Sequence, residues 1–286
     1  MLATAIIVFR EALEAALVIM IVLAATRGVL KRGRWVSGGV ALGALGALVL
    51  AFFADRVAAA ASGFGQEIVN ATVLLIAVAM LGWHNVWMNQ HGRELALDLK
   101  HVGQAVRDGS RPLYALAAVV GLAVLREGSE VVLFLYGVAA SAPGQSGAMA
   151  GGGALGFAAA AALGALGYFG LVHIPAKHLF TVTAWLVLFL AAGMAAQAAQ
   201  FLVQADMLPA WGEAVWDTSR LLSDESIAGR VLHTLIGYTA RPDGIQIAAY
   251  LATLAIIVAL TRLVARADGT ARAPQANPPS PAASRS

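Results

Sequence analysis

Seven stretches of this chain stay apolar for roughly 20 residues each, the length at which a helix crosses the hydrocarbon layer of a bilayer. They lie near Leu2–Thr26, Val36–Ala54, Ile68–Met88, Leu113–Ala140, Ala148–Val172, Leu179–Gln204 and Ile245–Val264. Lipid offers the backbone no hydrogen-bond partners, so only helices and closed barrels span it. Alternation at period two is absent, which excludes a barrel. Composition agrees: 59% of the 286 residues are hydrophobic and 12% are charged, against about 25% charged in soluble domains. A soluble enzyme, a nucleic-acid binder and a disordered chain are thereby excluded. The absence of cysteine excludes disulfides, thiolate metal ligands and a nucleophilic thiol. The first run is not a cleavable leader, because it lacks a basic start and carries Arg10, Glu11 and Glu14 within it.

Lys and Arg mark the cytoplasmic loops of a membrane protein. Arg27, Lys31, Arg32 and Arg34 fall in the first loop, Arg93, Lys100, Arg107 and Arg111 in the third, and Lys177 in the fifth. Arg262, Arg266, Arg272 and Arg285 fall at the carboxyl end, making 13 on this side. The other side holds four, Arg56, Arg220, Arg230 and Arg241. The split predicts an external amino terminus and a cytoplasmic carboxyl terminus. The pI of about 9.5 is thus a topology signal, and no nucleic-acid partner is expected. Leu95, Leu99, Val102 and Val106 recur at helical spacing, predicting an amphipathic cytoplasmic helix over Glu94–Arg107. The external stretch Ala205–Gly244 is acidic, with Asp206, Glu213, Asp217, Asp224, Glu225 and Asp243. Residues 267–286, rich in Pro, Ala and Ser, read as a disordered cytoplasmic tail.

Two clusters of charge sit where charge is expensive. Arg10-Glu11-Ala12-Leu13-Glu14 lies within the first run and Arg126-Glu127-Gly128-Ser129-Glu130 within the fourth. Each intramembrane charge costs about 2.5–3.5 kcal/mol, so the six would cost on the order of 15 kcal/mol if unpaired. Helical spacing puts Glu11 with Glu14, and Glu127 with Glu130, on shared faces. Each Arg precedes the second Glu of its motif by four residues and relieves only part of the repulsion. Four carboxylates and two guanidiniums leave a net charge of −2, which suits a bound cation held by hard oxygen ligands. The alternative is a salt-bridge network that only locks two helices together, and the duplication of the cluster argues against it.

The duplication extends beyond the motif. A shift of 116 residues aligns Val8, Arg10, Glu11, Glu14, Leu17 and Ala24 with Val124, Arg126, Glu127, Glu130, Leu133 and Ala140. It sets the second span over the fifth, both rich in Gly, and the third over the sixth. Three spans are an odd number, so the second copy lies inverted, an architecture that places substrate near the midplane between repeats. The expected fold is all-α: seven transmembrane helices in one permease domain, 1–266. Repeat one covers about 1–90, repeat two about 113–204, and a final helix about 245–264.

Two intramembrane Arg-Glu-x-x-Glu motifs in a seven-span chain resemble the oxidase-dependent iron permease family, which includes the fungal high-affinity iron permease and the bacterial ferrous-iron uptake permeases. The family signature is Arg-Glu-Gly-Leu-Glu; here Ala12 replaces the Gly in one copy and Ser129 the Leu in the other. The resemblance continues through Trp216-Asp217-Thr218-Ser219, Gly229 and Gly237-Tyr238, and reaches about Arg266. It implies iron import across the bacterial inner membrane, with Glu11, Glu14, Glu127 and Glu130 as ligands and Arg10 and Arg126 balancing their charge. Iron is then the transported substrate, and no tightly bound cofactor is expected. The resemblance also implies an external partner: a multicopper oxidase in fungi, and periplasmic iron-binding and haem-peroxidase proteins in bacteria.

Other residues carry weaker signals. His84 sits late in the third span, and the shift puts Gln200 opposite it. Imidazole suits iron, so both residues are candidates for the pathway, and a hydrogen-bonded core or interfacial His is the alternative. Gln197, Gln200 and Gln204 fall at helical spacing and either line a polar path or bond neighbouring helices. Gly39–Gly43 and Gly152–Gly156 fit close helix packing. The six external acids either gather cations or form a solvated loop. Trp83, Trp87, Trp211 and Trp216 read as interfacial anchors.

Rival functions are few. The same scaffold moving another divalent cation, such as manganese or lead, is the nearest. An intramembrane lipid-phosphate enzyme would need a Ser or His and phosphate-binding groups beside its Glu, and the Ser-Arg-Ser sequence at 284–286 lies in the tail. A haem-carrying subunit would need paired His within facing spans, and only His84 is clearly inside one. No Gly-x-x-x-x-Gly-Lys-Ser/Thr motif supplies ATP chemistry.

Overall fold

The computed structural model describes residues 1–61, 65–141, 144, 146–170, 176–212 and 214–271. Every regular element among them is a helix: α1 (Leu2–Ala25), α2 (Arg32–Ala61), α3 (Gln66–Arg107), α4 (Tyr114–Ser141), α5 (Ser146–Tyr168), α6 (Ala176–Gln204), α7 (Ile227–Ile236) and α8 (Gly244–Ala271). Five of these, α2, α3, α5, α6 and α8, contain a stretch long and apolar enough to cross a membrane. Every 18-residue stretch of α1 contains Arg10, Glu11 and Glu14, and every such stretch of α4 contains Arg126, Glu127 and Glu130. Those two apolar helices therefore carry the charged clusters near their centres.

The sequence boundaries are corrected in four places. The third apolar run and the amphipathic segment over Glu94–Arg107 are not separate helices. They join in α3, whose 42 residues make a rod about 63 Å long, roughly twice the hydrocarbon thickness. Leu99 and Val106 on its far half are buried against Val18, Val22, Val36, Leu116 and Val120, so packing accounts for the amphipathic pattern. The acidic stretch contains a helix where its composition predicts only loop: α7, capped by the Ser226 hydroxyl accepting from Gly229 N–H at 2.9 Å and closed by Gly237 at φ 69°. The helix α2 begins at Arg32, ahead of the apolar run, and α8 runs on to Ala271, into the segment expected to be disordered. Residues 272–286 and Glu213, together with the side chains of Arg93, Leu95, Lys177, Arg230 and Arg266, lie outside the described residues.

Packing follows a crossed pattern. The helix α1 lies on α5, α2 on α4, α3 on α6, and α1 meets α4 at the centre, while α8 covers α6 and α3. Glycines set the two crossed contacts. A Cβ on Gly39 would stand 2.6 Å from the Ala117 carbonyl oxygen, and one on Gly43 would stand 2.5 Å from that of Gly121. Likewise, Cβ atoms on Gly152 and Gly156 would collide with the carbonyl oxygens of Met1 and Ala5. Ala117 and Gly121 lie 116 residues after Met1 and Ala5, so the same backbone positions of α4 and α1 receive the glycines of α2 and α5. Apolar association in lipid has little hydrophobic driving force, and close backbone approach supplies the dispersion contacts instead.

The segment between α6 and α8 is ordered by its own polar contacts. Asp217 pairs with Arg241 at 2.8 Å. Hydrogen bonds from Arg241 and Ser219 hold the Asp217 carboxyl down at about 2, and the same contact raises the Arg241 pKa. The Ala240 N–H donates to both oxygens of Asp224, at 3.0 and 3.2 Å. Tyr238 Oη lies 2.5 Å from Thr218 Oγ1 and donates to the Leu222 carbonyl at 2.8 Å. Two of the six acids thus have structural partners in the loop. Gly237 also lets the chain approach α6, where a Cβ would stand 2.7 Å from Gly193 Cα.

Candidate metal centre

The site forms where α1 and α4 meet, because each helix presents one charged face to the other. Within α1, Arg10 Nη1 lies 3.5 Å from Glu11 Oε1, and Arg10 Nε lies 3.3 Å from Glu14 Oε1. Within α4, Arg126 Nε lies 3.9 Å from Glu127 Oε1 and donates to Glu130 Oε1 at 3.2 Å. In both helices the guanidinium is nearest the Glu four residues on, as helical spacing dictates. Arg10, Glu11, Glu14, Glu127 and Glu130 are all buried.

His84, also buried, comes from α3 and joins the two clusters. Its Nε2 lies 3.5 Å from Glu14 Oε2 and 4.0 Å from Glu11 Oε2, and its Nδ1 contacts Glu130 Oε2. Two groups of side chains can each bring three ligand atoms within 4.8 Å of one another: Glu11, Glu14 and His84; and Glu11, Glu127 and Glu130. Glu11 belongs to both groups, so the two candidate sets adjoin and have one residue in common.

The oxygens in this cluster are held by ion pairs more than by regular hydrogen bonds. Both oxygens of Glu11 and one oxygen each of Glu14, Glu127 and Glu130 lack a hydrogen bond of regular geometry, and Arg10 and His84 supply the ion-pair contacts to Glu11, Glu14 and Glu130. Buried carboxylates so loosely compensated are costly. Two guanidiniums and one imidazole serve four carboxylates. A cation among them would be bound by oxygen and by one imidazole. Imidazole is a ligand for iron, zinc and copper more than for magnesium or calcium.

The other sequence candidates divide. Gln197 and Gln200 lie one turn apart on α6, both half-buried. Gly39, Gly43, Gly152 and Gly156 are packing residues at the crossed contacts. Trp83 is 74% exposed. Trp87 has a partner on another helix: its ring lies under the guanidinium of Arg126, with Cζ 4.3 Å from the centroid. Interfacial enrichment of Trp concealed that role, although Trp87 stands three residues from His84 and so shares its face. A cavity of about 530 Å³ opens beside the cluster, lined by Trp83, His84 and Trp87 of α3 and by Arg126 and Glu130 of α4.

Residues 1–269 match the family described as the Iron permease FTR1 family. The ferrous iron permease EfeU of Shigella sonnei (strain Ss046) is 32% identical over 272 residues, covering 93% of this chain and 96% of that protein. The ferrous iron permease EfeU of Escherichia coli O157:H7 shows the same identity and coverage. That of Yersinia pestis is 28% identical over 248 residues, covering 85% and 87% of the two chains. No solved structure matches. With a match that takes in both charged clusters and every described helix but the last residues of α8, the chain belongs to the iron permease FTR1 family.

Proposed function

We propose that this chain is an iron permease of the bacterial inner membrane, and that iron crosses through a centre built from Glu11, Glu14, Glu127, Glu130 and His84. The observation that carries this is the convergence of four buried glutamates from two helices with one buried imidazole, in two overlapping groups able to bring three ligand atoms within 4.8 Å of one another. Their net charge with Arg10 and Arg126 is −2, which a divalent cation neutralises. His84 tips the ligand set toward a transition metal. The role of this chain's residues is to strip water from the ion and hand it between carboxylates. Each guanidinium keeps its own helix's pair from repelling apart when no ion is bound. Iron is cargo here, and an external oxidase, or a periplasmic iron-binding or peroxidase partner, delivers it.

The reading includes the architecture. Seven helices span, α1 and α4 among them, in one domain over 1–266 with repeat one at about 1–90, repeat two at about 113–204 and a final span at about 245–264. The second repeat lies inverted on the first, with the amino terminus outside and the carboxyl terminus in the cytoplasm. The matched glycine contacts of α2 on α4 and α5 on α1 support a two-fold relation between the repeats, because such a relation exchanges one pair for the other. Uptake of radioactive iron into vesicles, with manganese and zinc as competitors, tests the function. Wild-type protein should accumulate iron, and Glu11→Gln should not, with equal protein in the membrane. Accumulation of iron by Glu11→Gln at the wild-type rate would show the cluster to be structural.

A further inference from the structure

The two halves of the centre are not equally closed. Arg10 is 3% exposed and Arg126 is 35% exposed, although the 116-residue shift makes them counterparts. The difference lies in what flanks each. Beside Arg126 the helices α3 and α4 diverge around the cavity of about 530 Å³. Its wall includes Ala79, which is exposed, and Met80. The counterpart of Ala79 on α6 is Ala195, which is 5% exposed, and that of Trp83 is Ala199, which is 6% exposed. The site therefore has a way out beside α3 and a closed wall beside α6.

Arg126 stands in that way. Its guanidinium is 3.2 Å from Glu130 on one side and lies over the Trp87 ring on another. A cation in the cavity meets this positive charge beside the Glu130 carboxylate, since both line it, so binding at Glu130 competes with the guanidinium. Arg10 has no room to give way, and Arg126 has the cavity. An indole face attracts a guanidinium without binding it to one geometry. Trp87 thus offers Arg126 a second partner when a cation takes Glu130.

We propose that the cavity between α3 and α4 is the access route to the centre in this conformation, and that Trp87 is a positioning residue for Arg126 at its mouth. Arg126 releases Glu130 and stays on the indole as the cation enters, then takes Glu130 back when the cation leaves. The proposal rests on the four glutamates being the iron site.

The chain has no cysteine, so single cysteines report access directly. Ala79→Cys in purified protein should react with a water-soluble maleimide, and anaerobic ferrous iron should slow that reaction at least fivefold. Ala195→Cys should be at least tenfold slower than Ala79→Cys. Equal rates at the two positions, or an Ala79→Cys rate untouched by iron, would overturn the access route. For the positioning role, Trp87→Leu should raise the iron concentration at half-maximal uptake about tenfold, while Trp87→Phe, which keeps an aromatic face, should recover most of the loss. A Trp87→Phe protein as impaired as Trp87→Leu, or a Trp87→Leu protein with wild-type uptake, would overturn it. If Trp87→Leu does not fold, the paired cysteine rates still decide the route, and Trp87→Phe against Trp87→His decides the aromatic face. Ferrous-iron binding unchanged in Glu130→Gln, beside the expected cysteine rates, would instead locate the failure in the assignment of the iron site.

Discussion

Nε2 of His84 lies 3.5 Å from the carboxylate of Glu14, across the interface between α3 and α1. The opposite ring nitrogen contacts Glu130 of α4. One imidazole thereby touches both copies of a duplicated motif. A nitrogen donor among oxygens favours iron over manganese. His84→Ala should therefore weaken iron binding by about tenfold or more, within the range over which single ligand-supporting groups act, and weaken manganese binding less. Competition binding on purified protein checks this. An equal loss for both metals would mean that His84 only positions the carboxylates.

Packing gives a sharper contrast between neighbouring glycines. Gly43→Leu forces a side chain into the Gly121 backbone, where even a Cβ would stand 2.5 Å from the carbonyl oxygen. Overpacking of that kind costs about 1–3 kcal/mol, and thermal unfolding in detergent should show it. A Cβ on Gly38 meets nothing within 4 Å, so Gly38→Ala should stay within about 0.5 kcal/mol of wild type. The counterpart Gly156→Leu should match Gly43→Leu.

Orientation is open to labelling. Ser37 on α2 and Ser110 after α3 are both exposed, and both belong to segments expected on the cytoplasmic side. Single cysteines there should resist a membrane-impermeant maleimide in intact cells and react after permeabilisation. Strong labelling of intact cells at either position would reverse the topology.

The charged clusters were legible in the sequence because a charge inside an apolar run has few explanations, and a repeated one fewer still. The spacing of Arg10, Glu11 and Glu14 fixed which carboxylate each guanidinium meets, and the structure agrees to the residue. The continuity of α3 was not legible, since Asn89-Gln90-His91-Gly92-Arg93 reads as a break in hydropathy while containing no proline to break a helix. The start of α7 was available in Ser226 and its end in Gly237, the cap residues that bracket it, but the acidic composition around them read as loop. Trp87 looked like a membrane anchor because its partner Arg126 is on another helix, and sequence spacing does not reveal which faces meet. The joining of two motifs by His84 depends on the third helix threading beside both, a tertiary fact that the repeat alone does not contain.

Acid stability of the loop follows from Asp217. Its carboxyl is held at about 2, below its ordinary value, by Arg241 and Ser219. A depressed carboxylate contributes stability that is fully present above its unfolded value near 4 and is lost as pH falls through the folded value. The contact between residues 217 and 241 should thus persist at pH 4 and disappear toward pH 2. A cysteine introduced at the exposed Leu221 should keep its neutral-pH spin-label mobility at pH 4 in wild-type Asp217 background, and gain mobility at pH 4 and pH 7 alike in Asp217→Asn.

The most direct test concerns whether the four carboxylates make one centre. Glu11 falls in a candidate ligand group with partners on each helix, so the proposed centre has Glu14 and Glu130 acting on the same ion. Groups acting on a common ligand couple, whereas distant sites add. Ferrous-iron calorimetry should be run on wild type, Glu14→Gln, Glu130→Gln and the double mutant. A shared centre predicts that the double mutant binds scarcely worse than either single mutant. Additive losses in binding free energy, or two binding events each abolished by its own mutation, would contradict it.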